Sequence, residues 1–150
     1  ICSAIAELAA RNPEVDVVLP VHPNPEVTSV VHEMLQASPN IHLVEPLGYA
    51  DFVNLMSRAR LILTDSGGVQ EEAPALDIPV LVLRETTERP EGVAAGASRL
   101  VGTDRDRIVD EAMNLLDDDD AYEKMANAVN PYGAGTASQQ ILTVLQDRLG

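Results

Sequence analysis

Apolar runs of four to six residues, rich in Val, Ile and Leu, alternate along the chain with longer segments whose apolar positions recur at helical spacing. That alternation marks βα units, in which buried parallel strands are covered by helices on both faces. Five strands are predicted, at 16–21, 41–45, 60–64, 79–83 and 98–101. Helical stretches fall between them at 25–37, 50–59 and 67–76, with a short turn of helix at 90–95. After the last strand the period is helical throughout, over 104–116, 120–128 and 135–149. Asp104 and Asp120 stand at N-cap positions, and Pro13 and Pro39 follow helix ends. The expected fold is α/β, a Rossmann-like parallel sheet flanked by helices. Ile1 begins inside a helical pattern, with Ile1, Ile5 and Leu8 on one stripe, so the chain reads as cut from something longer.

Composition narrows the classes. The 150 residues, 45% of them hydrophobic, suffice for one core and not for two, so a single domain over 1–150 is expected. No apolar run reaches the roughly 18 to 20 residues that span a bilayer, and no basic segment precedes a cleavable apolar one. A soluble, cytoplasmic protein with no membrane partner is expected. Cys2 is the only cysteine, which excludes an internal disulfide and a thiolate metal cluster within one chain. The formal net charge is −14 and Lys124 is the only lysine, so nucleic acid is not an expected partner. The acidic excess reads as a solvated surface. Its pairing with a near absence of lysine points to a halophilic origin, where screening over about 3 Å at 1 M salt relaxes self-repulsion.

Ligands of open parallel sheets collect at the carboxyl ends of the strands. The most informative such place is Asp65-Ser66-Gly67-Gly68, where a buried run stops and a carboxylate-bearing helix begins at once. Such a start offers unpaired N–H groups and the positive end of a macrodipole, and two residues without Cβ let an anion come close. The same three residues could equally be a structural turn with a helix cap. Glu72 lies about one and a half turns into that helix, placed either to reach sugar hydroxyls or to sit in solvent. Glu71, rotated by about 100°, reads as the solvated member of the pair. Arg84 and Arg89 flank Glu85-Thr86-Thr87-Glu88 and either hold a diphosphate or pair with Glu85 or Glu88. His22 reads first as structural, Phe52 first as core with a base-binding role as the alternative. No second His or carboxylate stands at ligand spacing from His22, so no metal is expected. No nucleophile elbow, catalytic Ser-His-Asp set or Walker lysine is present.

The strings D-S-G-G-V-Q-E-E-A-P from Asp65 to Pro74, P-V-L-V-L-R from Pro79 to Arg84, T-T-E-R-P-E-G from Thr86 to Gly92, and N-P-Y-G from Asn130 to Gly133 strongly resemble the non-hydrolysing UDP-N-acetylglucosamine 2-epimerases. The likeness runs over nearly the whole chain. It implies one half of a GT-B-type two-domain fold, with UDP-sugar in the cleft between Rossmann-like halves, and this chain similar to the UDP-gripping carboxyl-terminal half. By resemblance, Ser66, Gly67 and Gly68 hold the diphosphate, Glu72 the ribose hydroxyls, and Arg89 the phosphates. The stretch around Leu47 and Phe52 contacts uracil, largely through backbone. His22, in H-x-N-P, lies near the second UDP-sugar that activates bacterial members.

The implied reaction interconverts UDP-GlcNAc and UDP-ManNAc by elimination of UDP to a glycal and re-addition from the opposite face, a step serving polysaccharide biosynthesis. The family's carboxylates, lysine and arginine for this chemistry belong to the other half, and a His-Arg-Arg segment follows a first strand upstream of Ile1. No catalytic residue is therefore assigned in this chain, and the fragment alone is expected to be inactive. No cofactor is implied, and the full-length protein is expected to be a homodimer. Two positions depart from the pattern: Asp77 stands where Gly is usual, a helix-end position at which Asp tolerates a left-handed backbone better than most residues, and Ala134 replaces the Asp of N-P-Y-G-D-G. Two other readings of the same residues are the donor domain of a GT-B glycosyltransferase and a non-catalytic UDP-sugar sensor.

Overall fold

Val80, Leu81 and Val82 have no exposed surface, because the strand they form is covered on both faces. The structure is a computed structural model describing residues 1–133 and 135–149, so the Ala134 substitution lies outside the described residues. The strand, β4 (Val80–Val82), lies between β3 (Ile62–Thr64) and β5 (Ser98–Leu100), parallel to both, with Leu81 in register with Leu63 and Arg99. Side chains alternate across a strand. Leu81 therefore packs with Ala4, Leu8, Ile108 and Leu115 on one face, while Val80 and Val82 pack with Ala73 on the other. Apolar neighbours on both sides explain the unbroken Val-Leu-Val run.

The remaining strands, β1 (Val17–Pro20) and β2 (Ile41–Val44), pair with each other in parallel register. The expected α/β class with parallel strands flanked by helices is what the structure has, its described strands divided into a pair and a trio. Apolar patterning specifies which faces are buried and leaves lateral neighbours open. Helix α1 (Cys2–Arg11) joins the two sheets, since Ala4 and Leu8 belong to the core of the trio while Ile5 and Ala9 belong to that of the pair. Asn40 ties the end of α1 to β2, its Nδ2 lying 3.0, 3.1 and 2.9 Å from the carbonyl oxygens of Ala9, Asn12 and Val15. On the outer faces lie α2 (Pro25–Leu35), which buries Val31 and Leu35 on the pair, and α6 (Arg105–Asp117), which buries Ile108, Val109, Ala112 and Leu115 on the trio.

Two helix starts show how short polar side chains set the boundaries. Asp104 caps α6 by accepting from Arg107 N at 2.9 Å, as predicted. The cap of α7 (Asp119–Ala126) is Asp118, which accepts from Asp120 N and Ala121 N at 3.0 and 3.1 Å; the N-cap assignment of Asp120 is corrected. The predicted helix 67–76 divides into α4 (Gly67–Glu72) and a 3₁₀ turn (Ala73–Leu76). Pro74 has no N–H to donate to the Gln70 carbonyl, which breaks the α-ladder at that point. The turn closes on Asp77 at φ 57° and ψ 37°, the one non-glycine residue with positive φ among the described residues. That is the left-handed helix end at which Asp is better tolerated than most residues.

Helices α3 (Tyr49–Met56) and α5 (Pro90–Ala95) follow β2 and β4 respectively. The last helix, α8 (Ala137–Leu149), buries none of its side chains and leaves Ile141, Leu142, Val144 and Leu145 exposed. No helix among the described residues is long and apolar enough to cross a membrane.

Candidate functional site

At the carboxyl end of β3 the chain turns on Thr64, whose Oγ1 accepts from Ser66 N at 3.0 Å. Ser66, at φ −78° and ψ 129°, is the residue at which α4 starts, and its side chain caps nothing. The hydroxyl therefore stays available beside the first N–H groups of α4, which have no partner within a helix. Neither Gly67 nor Gly68 has positive φ. Their use lies in the missing Cβ, and of the structural alternative, a turn with a helix cap, the side-chain cap is not formed.

What stands over those glycines is Arg89. A Cβ built on Gly67 would lie 3.7 Å from Arg89 Nη2, and one on Gly68 would lie 3.8 Å from Ser66 Oγ. Amides, hydroxyl and guanidinium thus line one small, open patch of surface. Arg89 reaches it from the loop after β4, with its Nε donating to Glu71 and its Nη1 donating to the Glu88 carbonyl at 3.1 Å. The Glu71 hydrogen bond, and then its charge, raises the guanidinium's pKa above an already high ordinary value. The cation is therefore permanent at any working pH.

Glu71 is not the freely solvated residue expected from its rotation on the helix, because the Arg89 arm folds down onto that side of α4. Pairing of Arg89 with the Glu85 or Glu88 carboxylates is not what the structure shows. Glu85 packs over Gly102, and Glu88 offers its backbone oxygen. Arg84 is partly buried, and its carbonyl accepts from Gly102 N at 3.2 Å.

Three residues that support this patch were not singled out by the sequence reading. Gln70 is 1% exposed; its Nε2 donates to the Ser66 carbonyl at 3.2 Å and its Oε1 accepts from Thr87 Oγ1 at 2.6 Å. Thr87 Oγ1 accepts in turn from Arg89 N at 3.0 Å. Tyr132, from the Asn130-Pro131-Tyr132-Gly133 turn, accepts from Gly92 N at 3.1 Å and lies 3.5 Å from the Arg89 carbonyl. It thereby caps α5, whose own N-cap residue Arg89 supplies no side-chain bond. The available signal for Gln70 was its spacing, four residues after Ser66 between the core residues Val69 and Ala73. A polar side chain buried there has to find partners.

The other predicted residues fall elsewhere on the strand-end face. Glu72 is half-buried in the last turn of α4, next to Glu71. Leu47 is 38% exposed in the loop before α3, and Phe52 is half-buried in the first turns of that helix. His22 is exposed after β1, its Nδ1 accepting from Asn24 N at 3.2 Å. No hydrogen bond or ion pair among the described residues links His22, Leu47 or Phe52 to the Ser66 and Arg89 group. A cavity of about 140 Å³ lies at Val21 and Pro23, with Thr28, His32 and Glu45 as its polar lining; His22 does not line it.

Parallel β-sheets flanked by helices, with a glycine turn and an arginine gathered beyond the strand ends, define the class as a Rossmann-like α/β protein. The family model of UDP-N-acetylglucosamine 2-epimerase matches residues 1–146, and the chain belongs to that family. Among relatives, a probable UDP-N-acetylglucosamine 2-epimerase of Ralstonia nicotianae is 58% identical over 146 residues, covering 97% of this chain and 39% of that protein. The Yersinia pestis UDP-N-acetylglucosamine 2-epimerase is 55% identical over 147 residues, covering 98% of this chain and 39% of that protein. Among solved structures, UDP-GlcNAc 2-epimerase from Neisseria meningitidis bound to UDP-GlcNAc superposes with a TM-score of 0.90 at 49% identity, over 97% of this chain and 40% of that one. A Listeria monocytogenes structure reaches 0.94 at 44% identity, over 99% and 40%. The chain spans about 39% of the length of the curated relatives it matches.

Proposed function

We propose that this chain is the UDP-gripping, carboxyl-terminal half of a UDP-N-acetylglucosamine 2-epimerase that interconverts UDP-GlcNAc and UDP-ManNAc. The observation that carries the reading is the Arg89 guanidinium standing over the Cβ-free start of α4, its Nη2 3.7 Å from where a Cβ on Gly67 would lie. In this reading the diphosphate sits on the Ser66 hydroxyl and the Gly67 and Gly68 amides with Arg89 against its oxygens, Glu72 takes the ribose hydroxyls, and the segment of Leu47 and Phe52 takes uracil. His22 belongs to an effector site.

The chemistry explains why such a grip matters. When a base removes the C2 proton, the C2–H pair forms the C1=C2 bond and the C1–O pair leaves with UDP, giving a glycal. Re-addition of UDP at C1, with protonation of C2 from the opposite face, completes the inversion. Charge grows on the diphosphate as C1–O breaks. A fixed guanidinium and oriented amides stabilise that charge without reorganising. Proton transfer is assigned to residues outside this chain, so turnover belongs to the full-length protein, a cytoplasmic homodimer in this reading.

Full-length protein incubated with UDP-GlcNAc tests the proposal by NMR. A new set of sugar signals with inverted C2 supports it, whereas transfer to an acceptor sugar, or binding with no change in the sugar, overturns it. Calorimetry then locates the grip. Ser66→Ala with Gly68→Val should weaken UDP binding by more than about 1 kcal/mol, through a lost donor and an obstructing side chain. Unchanged affinity in that double variant sinks the assignment.

A further inference from the structure

We infer that Gln70 and Thr87 are positioning residues, a hydrogen-bonded bridge that holds the Arg89 arm at a set distance from the Ser66 turn. The inference rests on the reading of Ser66 and Arg89 as the diphosphate grip. It concerns one buried side chain, Gln70, and one half-buried side chain, Thr87.

The bridge runs in one direction. Ser66 O can only accept, so the Gln70 amide must present its nitrogen there, at 3.2 Å, and its oxygen to Thr87. Arg89 N can only donate, so Thr87 Oγ1 accepts from it at 3.0 Å and turns its own proton to Gln70 Oε1 at 2.6 Å. Each bond thus fixes the sense of the next, and such chains polarise one another in a site shielded from water. Gln70 is 1% exposed, so neither end of its amide has water as an alternative partner.

A leucine of similar size at position 70 and a valine at 87 would remove the Gln70–Thr87 hydrogen bond from both sides, which costs less than stranding one partner, but would leave Arg89 N without its present acceptor. What those apolar residues could not do is tie the backbone of α4 at Ser66 to the backbone of the loop at Arg89. The other polar link between the two segments is the Arg89–Glu71 pair, which uses the guanidinium itself. An incoming diphosphate competes with Glu71 for that guanidinium. The bridge acts through the main chain, so the arm keeps its place while its charge is handed to the ligand.

The test uses full-length protein and UDP titrations by calorimetry. Thr87→Val and Gln70→Leu should each weaken UDP binding roughly fivefold or more. Thr87→Ser, which keeps the hydroxyl, should bind like the wild type. In an Arg89→Ala background, Thr87→Val should have no further effect, because the group it positions is gone. Wild-type affinity in both Thr87→Val and Gln70→Leu overturns the inference, as does an undiminished Thr87→Val effect in the Arg89→Ala background. Should Thr87→Val fail to fold, Thr87→Ala with the same cycle replaces it. If Arg89→Ala itself binds UDP normally, the grip reading falls first, which separates the two failures.

Discussion

Tyr132 shows how much a single phenol can hold. Its hydroxyl reaches forty residues back to cap α5 at Gly92 and to border the Arg89 carbonyl, so the Asn130–Gly133 turn braces the same arm that Gln70 and Thr87 hold from the other side. Gly92 leaves room for this, since a Cβ there would meet the Tyr132 hydroxyl at 2.7 Å and Ser98 Oγ at 3.0 Å. Burial raises the phenol's pKa above its ordinary value, while the Gly92 N–H pulls in the opposite direction. The folded state therefore favours the protonated phenol. Its stability contribution is intact below about pH 10, the ordinary tyrosine value, and is lost as pH climbs through the higher folded value. Tyr132→Phe should cost about 1 kcal/mol near neutrality and should show a flatter decline of melting temperature above about pH 10 than the wild type. Parallel profiles for the two proteins in that range would count against the role.

At the scale of elements, the acidic run at 117–120 illustrates what composition conceals. All four residues are exposed, as a solvated surface requires, and each also has a local place: Asp117 ends α6, Asp118 caps α7, Asp119 pairs with Arg60 at 2.7 Å, and Asp120 lies in the first turn. Arg60 also lies over the Tyr122 ring at 3.9 Å, so the run anchors one end of α7. Asp118→Ala should lower stability by about 1 kcal/mol through loss of both cap bonds, and Asp118→Asn should retain most of it. Denaturant unfolding of the two variants checks this; an equal loss in both would point to charge against the helix dipole in place of the cap. Choosing Asp118 over Asp120 required coordinates, because four consecutive aspartates offer equivalent side chains and only backbone geometry selects one.

For the molecule as a whole, the charge of −14 on 150 residues makes self-repulsion the dominant long-range term. Raising ionic strength from about 0.1 to 1 M shortens the screening length from about 10 to 3 Å. The halophilic reading predicts that melting temperature rises along that KCl series, and equal stability at both ends would remove it. The ion pair Glu7–Arg105 joins elements distant in sequence and Arg99–Glu111 joins two consecutive ones, but both are partly exposed and add little each. The two sheets are joined chiefly by apolar contact through α1.

All five strands, the parallel α/β class, the left-handed helix end at Asp77 and the Ser66, Gly67 and Gly68 turn were legible from the order of residues. Each depends on local physics: a buried run, a helical period, a residue without Cβ, a short polar side chain at a helix end. Which strands lie side by side, the placing of Arg89 over Gly67 with Glu71 as its counter-ion, and the bridge from Gln70 through Thr87 came only with the fold. Those depend on groups separated along the chain meeting at one point. A buried Gln declares in a sequence only that it needs partners, and packing alone decides which ones it meets.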